Sequence, residues 1–412
     1  MAVVKPFCAM RPRIDLVSQV AALPYDVYNR TEAREAVKGK PYSFLNIDRP
    51  ETQLDPSIDI YDDIVYDAAQ KLLKNHIESG IYVRDWSPCY YIYELTMNGR
   101  TQTGIVGCSS IDDYETGVIK KHENTRADKE IDRIRHVDAC SAQTGPIFLA
   151  YRSQNFINQV VKEVKQEKKP VYNFVSEDGI RHCVWKISNA DQIQSLEEAF
   201  AKIPNTYIAD GHHRAASAVK VGLGRRNQNP NYTGKEEFNY FLSVLFPDDQ
   251  LYIMDYNRTV KDLNGYSKKE FIERIKENFK VEFIGKEPFS PKEKHMFGMY
   301  IDSYWYCLTA KDDIISNDPV KSLDVSILQE YLLDPILGIK DPKQDKRIDF
   351  IGGIRGLKEL EQRADMDMRV SFSMHPTTIG ELFAVADADL LMPPKSTWFE
   401  PKLRSGLFIH TF

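Results

Sequence analysis

The residues best suited to chemistry form the run Asp210-Gly211-His212-His213-Arg214, which follows the apolar stretch Tyr207-Ile208-Ala209. An apolar strand, a turn at glycine and a helical sequence would leave unpaired backbone N–H groups at the end of a sheet. Those donors and the helix dipole attract an anion. The dipole alone contributes roughly 0.3–1 kcal/mol at exposed sites, so side chains must supply most of the grip. His212, His213 and Arg214 offer donors, and the arginine fork matches phosphate oxygens. Gly211 allows close backbone approach because no Cβ intervenes. Asp210 has the wrong charge to touch phosphate, which makes a bridging magnesium ion its natural partner.

Other chemistries compete for the same residues. An acyltransferase of the His-His-x-x-x-Asp type would need an acid where Ser217 stands. Zinc would need further ligands, and consecutive histidines rarely converge on one ion. The bland alternative is an Asp210–Arg214 ion pair with the histidines merely packed.

A second polar run, His122-Glu123-Asn124-Thr125-Arg126, precedes a probable helix on which Arg126, Lys129 and Arg133 recur at offsets of three and seven. That spacing puts the three cations on one face, suited to a substrate with several negative charges, and leaves Ile131 and Ile134 for the core. Glu123, among cations, is the candidate general base toward a hydroxyl. The alternative is that Glu130 pairs with Arg126 and Arg133 on the surface, where such pairs contribute about 0–1 kcal/mol. Asn257 and Arg258, after a further strand, could line the same cleft or belong to an exposed hairpin. Gly352-Gly353-Ile354-Arg355-Gly356 lacks the order of a nucleotide loop and reads as a turn.

The elements that must position these groups follow from periodicity. Strands are expected at 42–47, 89–95, 100–108, 183–187, 206–209, 241–246 and 299–308, and Asn98-Gly99 should turn a hairpin. Helices are expected at 64–77, with Ile64, Ala68, Leu72 and His76 near one face, and at 128–140, 156–168, 267–279 and 325–337. The helix after Gly211 should stop near Gly222 or Gly224, and 225–235 should be an exposed loop. Ser267 and Glu270 have capping-box spacing. The succession suits an α+β protein with mixed sheets and flanking helices. Three segments are expected: an N-terminal α+β segment at 1–108, a central phosphate-site domain at 109–265 and a C-terminal α+β domain at 266–412.

Composition narrows the function classes. A net charge of −6 over 412 residues argues against a general nucleic-acid binder. No run reaches the ~20 apolar residues of a membrane helix, and the N-terminus lacks a secretory pattern. The six cysteines are scattered without a CxxC pair. A cytoplasmic protein with reduced cysteines is expected.

Six motifs in order resemble the bacterial family catalogued as domain of unknown function 1015: Pro24-Tyr25-Asp26-Val27, Ser43-Phe44-Leu45, His122-Glu123-Asn124-Thr125, Asp210-Gly211-His212-His213-Arg214, Asn257-Arg258 and Met392-Pro393-Pro394-Lys395-Ser396-Thr397. The resemblance spans nearly the whole chain. It implies a free serine kinase that makes O-phospho-L-serine from L-serine, with pyrophosphate as donor and magnesium as cofactor. The Asp-Gly-His-His-Arg element is also similar to that of ADP-dependent free serine kinases in the ParB/sulfiredoxin superfamily, which implies a core of that kind with additional domains. Carried over, Asp210 is linked to magnesium and is catalytic with Glu123 and His213. Phosphate and substrate then fall to His122, Asn124, Arg126, Lys129, Arg133, Gly211, His212, Arg214, Asn257 and Arg258. The alternative function is a ParB-like regulatory protein that binds nucleotide or nucleic acid. A third reading runs the same reaction from phosphoserine back to serine.

Overall fold

The exposed hairpin turn at Asn98-Gly99 joins two neighbouring strands of the largest sheet. In the computed structural model, which describes all 412 residues, Asn98 and Gly99 take φ of 51° and 78°, as a two-residue hairpin turn requires. Contacts divide the chain into two units, residues 1–251 with 401–412, and residues 252–400.

The first unit holds a nine-stranded mixed sheet. Its strands are β1 (Val4–Lys5), β2 (Tyr90–Met97), β3 (Arg100–Ser110), β4 (Ile119–Lys120), β5 (Ile147–Tyr151), β6 (Tyr172–Val175), β7 (Arg181–Ile187), β8 (Thr206–Asp210) and β9 (Tyr240–Pro247). The order is β4-β8-β5-β9-β3-β2-β7-β6, with β1 also paired to β3. Two pairings, β4 with β8 and β5 with β9, are parallel, and the rest are antiparallel. All five residues of β5 are buried, in keeping with the continuous apolar run of a covered strand.

Five helices of eight or more residues accompany this sheet: α1 (Asp63–Glu78), α2 (Ala127–Cys140), α3 (Asn155–Glu167), α4 (Ala190–Phe200) and α5 (His212–Gln228). Asp62 caps α1 by accepting from the Ile64 N–H. Helix α3 buries Ile157, Val160 and Val164 in the core formed with Leu149, Trp185 and Leu196. That three- and four-residue spacing is the stripe an amphipathic helix needs.

The second unit contains a six-stranded antiparallel sheet. Its strands are β10 (Tyr256–Val260), β11 (Phe279–Gly285), β12 (Met296–Ile301), β13 (Tyr304–Ala310), β14 (Ile348–Gly352) and β15 (Val370–Met374), in the order β11-β13-β12-β15-β10-β14. Helix α6 (Lys268–Ile275) begins at the expected capping box of Ser267 and Glu270, and Ile379–Asp387 forms a further helix with a Thr378 capping box.

The α+β class with mixed sheets is therefore what the sequence leads one to expect, but several elements differ. Two units replace the three expected segments because β2 and β3, from the expected first segment, pair directly with β7 and β9 from the second. Strands interleaved in one sheet share one core. The end of the chain returns as well, with His410–Thr411 pairing with Ala142–Gln143. Residues 42–47 do not form a strand; Leu45–Asp48 is a short helix with Leu45, Asn46, Ile47 and Asp48 all buried. A short apolar run carries no periodicity that separates the two conformations. The stretch at 299–308 is two strands turned at Asp302 and Ser303, both with positive φ. At 325–337 the α-helical part is Asp324–Leu328, continued by a π-helical turn over Gln329–Leu333. The face of α1 is rotated from the expected one: Ile64 is 46% exposed, while Val65, Ala69, Leu73 and His76 are buried.

Helix α5 also continues through Gly222 and Gly224 to Gln228. Gly222 does not end it. A Cβ there would lie 2.4 Å from the Phe238 carbonyl oxygen and 2.8 Å from Ile111 Cδ1, so glycine is demanded by close packing within the helix.

Candidate functional site

Strand β8 ends at Asp210, and Gly211 takes φ +95° as the residue that caps α5. A Cβ at Gly211 would stand 3.1–3.2 Å from the Arg214 guanidinium, so the glycine serves both the turn and the seat of Arg214. The strand, turn and helix expected from the motif are all present.

Arg214 is buried and folds back over the turn. It donates to the Pro146 carbonyl, and its Nη2 lies 3.4 Å from Asp210 Oδ2. Lys402 Nζ approaches the same carboxylate oxygen at 3.5 Å. Burial opposes ionisation of Asp210, yet Lys402 and Arg214 hold its carboxyl well below the usual range. The Asp210–Arg214 pair of the bland alternative therefore exists, but it belongs to a cluster of two cations and one anion. Lys402 lies outside every motif that the sequence offers.

His212 is buried edge-on against His122, with ring centroids 4.5 Å apart and planes at 88°. Desolvation lowers the pKa of His122 to about 4 and that of His212 well below its ordinary value. The rings are neutral at physiological pH. His122 Nδ1 and His212 Nε2 are buried with no protein partner, although such atoms are normally paired. His213 is less deeply buried, and its Nε2 accepts from the Arg126 backbone N–H at 3.0 Å. That bond fixes the neutral tautomer with the proton on Nδ1, and desolvation lowers the pKa.

Helices α2 and α5 are tied together beside these histidines. Glu130 accepts from Thr125 Oγ1 at 2.6 Å and pairs with Lys220. Ser217 Oγ lies 3.1 Å from the Glu130 carbonyl and 2.7 Å from that of His213. Burial opposes ionisation of Glu130, but Lys220 and Thr125 lower its pKa. Glu130 thus bridges the two helices and does not form the surface pairs with Arg126 and Arg133 weighed from the sequence.

The expected basic stripe of α2 divides. Arg126 is exposed and pairs with Asp128 at 2.8 Å, and Lys129 Nζ lies 3.3 Å from the Tyr61 hydroxyl. Arg133 instead points inward. It bonds Asp132 Oδ2 at 2.9 Å and the Asp48 carbonyl at 3.3 Å, and lies 4.1 Å from the Tyr25 ring centroid. Ile131, expected in the core, is 58% exposed. The inward face of α2 is polar because it is occupied by Arg133 and His136.

Arg133 and Arg214 line one cavity of about 20 Å³, together with Tyr25, Asp48, His136 and Thr144. Asp48 Oδ1 accepts from Thr144 Oγ1 at 2.9 Å, and His136 Nε2 donates to the Ile47 carbonyl at 2.8 Å. Asp26 acts electrostatically on both His213 and Arg214. Tyr25 and Asp26 stand in the Pro24-Tyr25-Asp26-Val27 motif, a signal that was visible without any role attached to it. Glu123 is half-buried beside His122, and Asn124 is exposed.

Asn257 and Arg258 lie on β10 of the second unit. Asn257 Oδ1 accepts from the Met374 N–H at 2.9 Å, and Arg258 donates to the carbonyls of Tyr256 and Lys395. Both are buried strand residues, unlike the exposed hairpin weighed from the sequence.

No group of three or more His, Cys, Asp or Glu side chains is arranged to hold a metal ion. The ionised Asp210 carboxylate suits magnesium carried in with phosphates, which commonly needs only one or two protein carboxylates.

The chain belongs to the family described as protein of unknown function (DUF1015), whose model matches residues 4–326. No curated protein matches it. Among solved structures, a free serine kinase in complex with AMP is 14% identical, with 74% of this chain and 91% of that chain covered at a TM-score of 0.35. A conserved hypothetical protein from Pyrococcus furiosus is 16% identical over 74% and 94%, with a TM-score of 0.35. SbnI with a C-terminal truncation from Staphylococcus aureus is 11% identical over 74% and 87%, with a TM-score of 0.39. No helix is long and apolar enough to cross a membrane.

Proposed function

We propose that this member of the DUF1015 family is a phosphotransferase that makes O-phospho-L-serine and phosphate from L-serine and pyrophosphate. The observation that carries the reading is the Gly211 turn at the start of α5, flanked by Asp210, by Arg214 and by the His122–His212 pair, whose buried ring nitrogens His122 Nδ1 and His212 Nε2 have no protein partner. Buried polar atoms are normally paired, and phosphate oxygens would pair these. Pyrophosphate offers several negative charges and no base or sugar to recognise. The serine acceptor comes from the motif resemblance, and the basic residues support the donor.

Phosphoryl transfer rests mainly on positioning and charge neutralisation. Arg214 and the N-terminal turn of α5 hold the donor, with Arg133 behind them. His213, with its proton on Nδ1, donates to a phosphate oxygen. Lys402 and Arg214 keep Asp210 ionised, so that it can hold magnesium, which would neutralise donor charge. Glu123 takes the serine hydroxyl proton as the serine oxygen bonds to phosphorus. The bond from that phosphorus to the bridging oxygen then breaks, and phosphate leaves.

The test is incubation of the protein with L-serine, magnesium and, separately, pyrophosphate, ADP or ATP, with phosphoserine followed by mass spectrometry. Product with pyrophosphate alone is expected. Product only with ADP or ATP would replace the donor, and no product in any tube from folded protein would remove the kinase reading.

A further inference from the structure

The first unit contains another cavity, of about 490 Å³, that shares no lining residue with the one between Arg133 and Arg214. Its size falls within the range of small-molecule sites. At one side lies Arg404, whose side chain is only 3% exposed. Its Nη2 pairs with Asp178 and lies 3.1 Å from Ser176 Oγ, while Nη1 is buried with no partner. An unpaired buried guanidinium N–H is a donor in want of an acceptor.

The groups around Arg404 are already ordered. Ser176 Oγ donates to Asp178 Oδ1 at 2.6 Å and accepts from His182 Nε2 at 3.0 Å, and the other ring nitrogen bonds the Tyr93 hydroxyl at 2.8 Å. His182 is stacked between Phe174 and Tyr93, and desolvation lowers its pKa to about 3, so it adds no charge.

The charge pattern selects the ligand. Two cations, Arg404 and Lys40, stand with two anions, Asp178 and Glu177, and Lys40 pairs with Glu177 at 2.7 Å. A multiply charged anion would meet two carboxylates, whereas a zwitterion meets opposite charges at both ends. The remaining wall mixes Ala21, Leu23 and Pro41 with Ser18, Gln19 and Ser43, and its apolar stretch suits an aliphatic side chain. We infer that this cavity binds a free α-amino acid with an aliphatic side chain, its carboxylate on Arg404 and its ammonium on Asp178. Such a ligand has no hydroxyl, so it is not a phosphoryl acceptor, and the inference stands apart from the kinase reading.

Calorimetric titration of the full chain with L-leucine, L-valine and L-methionine tests it. At least one is expected to bind. Its affinity should fall tenfold or more in Asp178→Asn, vanish in Arg404→Gln and persist in Arg214→Ala. For a leucine site, 4-methylpentanoate and isopentylamine, which each keep one charged end, should bind at least tenfold more weakly. Asp178 is 43% exposed, so its variant keeps the test decisive if Arg404→Gln fails to fold. Absence of binding by all three amino acids would overturn the inference. So would unchanged affinity in Asp178→Asn, or loss of binding in Arg214→Ala alone.

Discussion

Lys402 Nζ stands 3.5 Å from Asp210 Oδ2 although 192 residues separate the two in sequence. The contact places a cation from the end of the chain on the carboxylate that opens the phosphate motif. Lys402→Met should therefore leave the motif backbone intact but disturb the charge balance around Asp210. A fall of roughly tenfold to a hundredfold in kcat/KM for pyrophosphate is expected, about 1.4–2.8 kcal/mol of transition-state stabilisation. Steady-state kinetics with circular dichroism checks it, and an unchanged kcat/KM would make the pair purely structural.

Glu123→Gln separates chemistry from binding. Loss of a general base typically costs a factor of about 10² to 10⁴. The fall should appear in kcat for phosphoserine formation, with KM for pyrophosphate little altered. A near-normal kcat would move the base to another residue.

Gly222→Ala tests the packing of α5. Alanine has a helix propensity about 1 kcal/mol better than glycine, so a solvent-facing site would gain stability. Here the added Cβ meets the Phe238 carbonyl at 2.4 Å, and overpacking of this kind costs roughly 1–3 kcal/mol. Urea denaturation should show a less stable variant, and a more stable one would contradict the close approach.

The buried histidine pair makes stability sensitive to acid. The pKa of His122 is lowered by burial from an ordinary 6.5 to about 4 in the folded chain. The unfolded chain therefore binds the proton first as pH falls. The stability contribution is present above pH 6.5 and is lost as pH falls through about 4, on the order of 3 kcal/mol from His122 alone. His122→Gln should flatten this part of the profile when denaturation is compared at pH 7 and pH 4.5. Parallel profiles for the two proteins would refute the assignment.

Asp324 in the second unit has the opposite sign. Burial raises its pKa to about 7, although the His295 backbone N–H, at 3.0 and 3.1 Å from its two oxygens, partly offsets the rise, and Glu381 adds to it. The folded chain holds this proton more tightly than the unfolded one. Stability is thus greatest below pH 4 for this group and declines as pH rises through about 7, on the order of 4 kcal/mol in all. Asp324→Asn should lose less stability than the natural chain between pH 5 and pH 8. Equal losses by chemical denaturation would show that Asp324 ionises normally.

Local sequence determined the elements with strong local rules. The hairpin at Asn98-Gly99, the capping box of Ser267 and Glu270, and the strand–glycine–helix order around Gly211 each depend on residues a few positions apart. Turn chemistry and capping are short-range, so they are legible in one dimension. Tertiary structure decided which side chains share space. Arg126, Lys129 and Arg133 have one helical spacing, yet only Arg133 turns into the cavity with Arg214. The choice was set by the packing of α2 against α5 and by Tyr25 and Asp48 from a distant segment. Gly222 reads as a helix stop until Phe238 is seen against it, and Lys402 carries no signal until the chain returns to Asp210. Burial and long-range charge depend on neighbours that spacing alone does not encode.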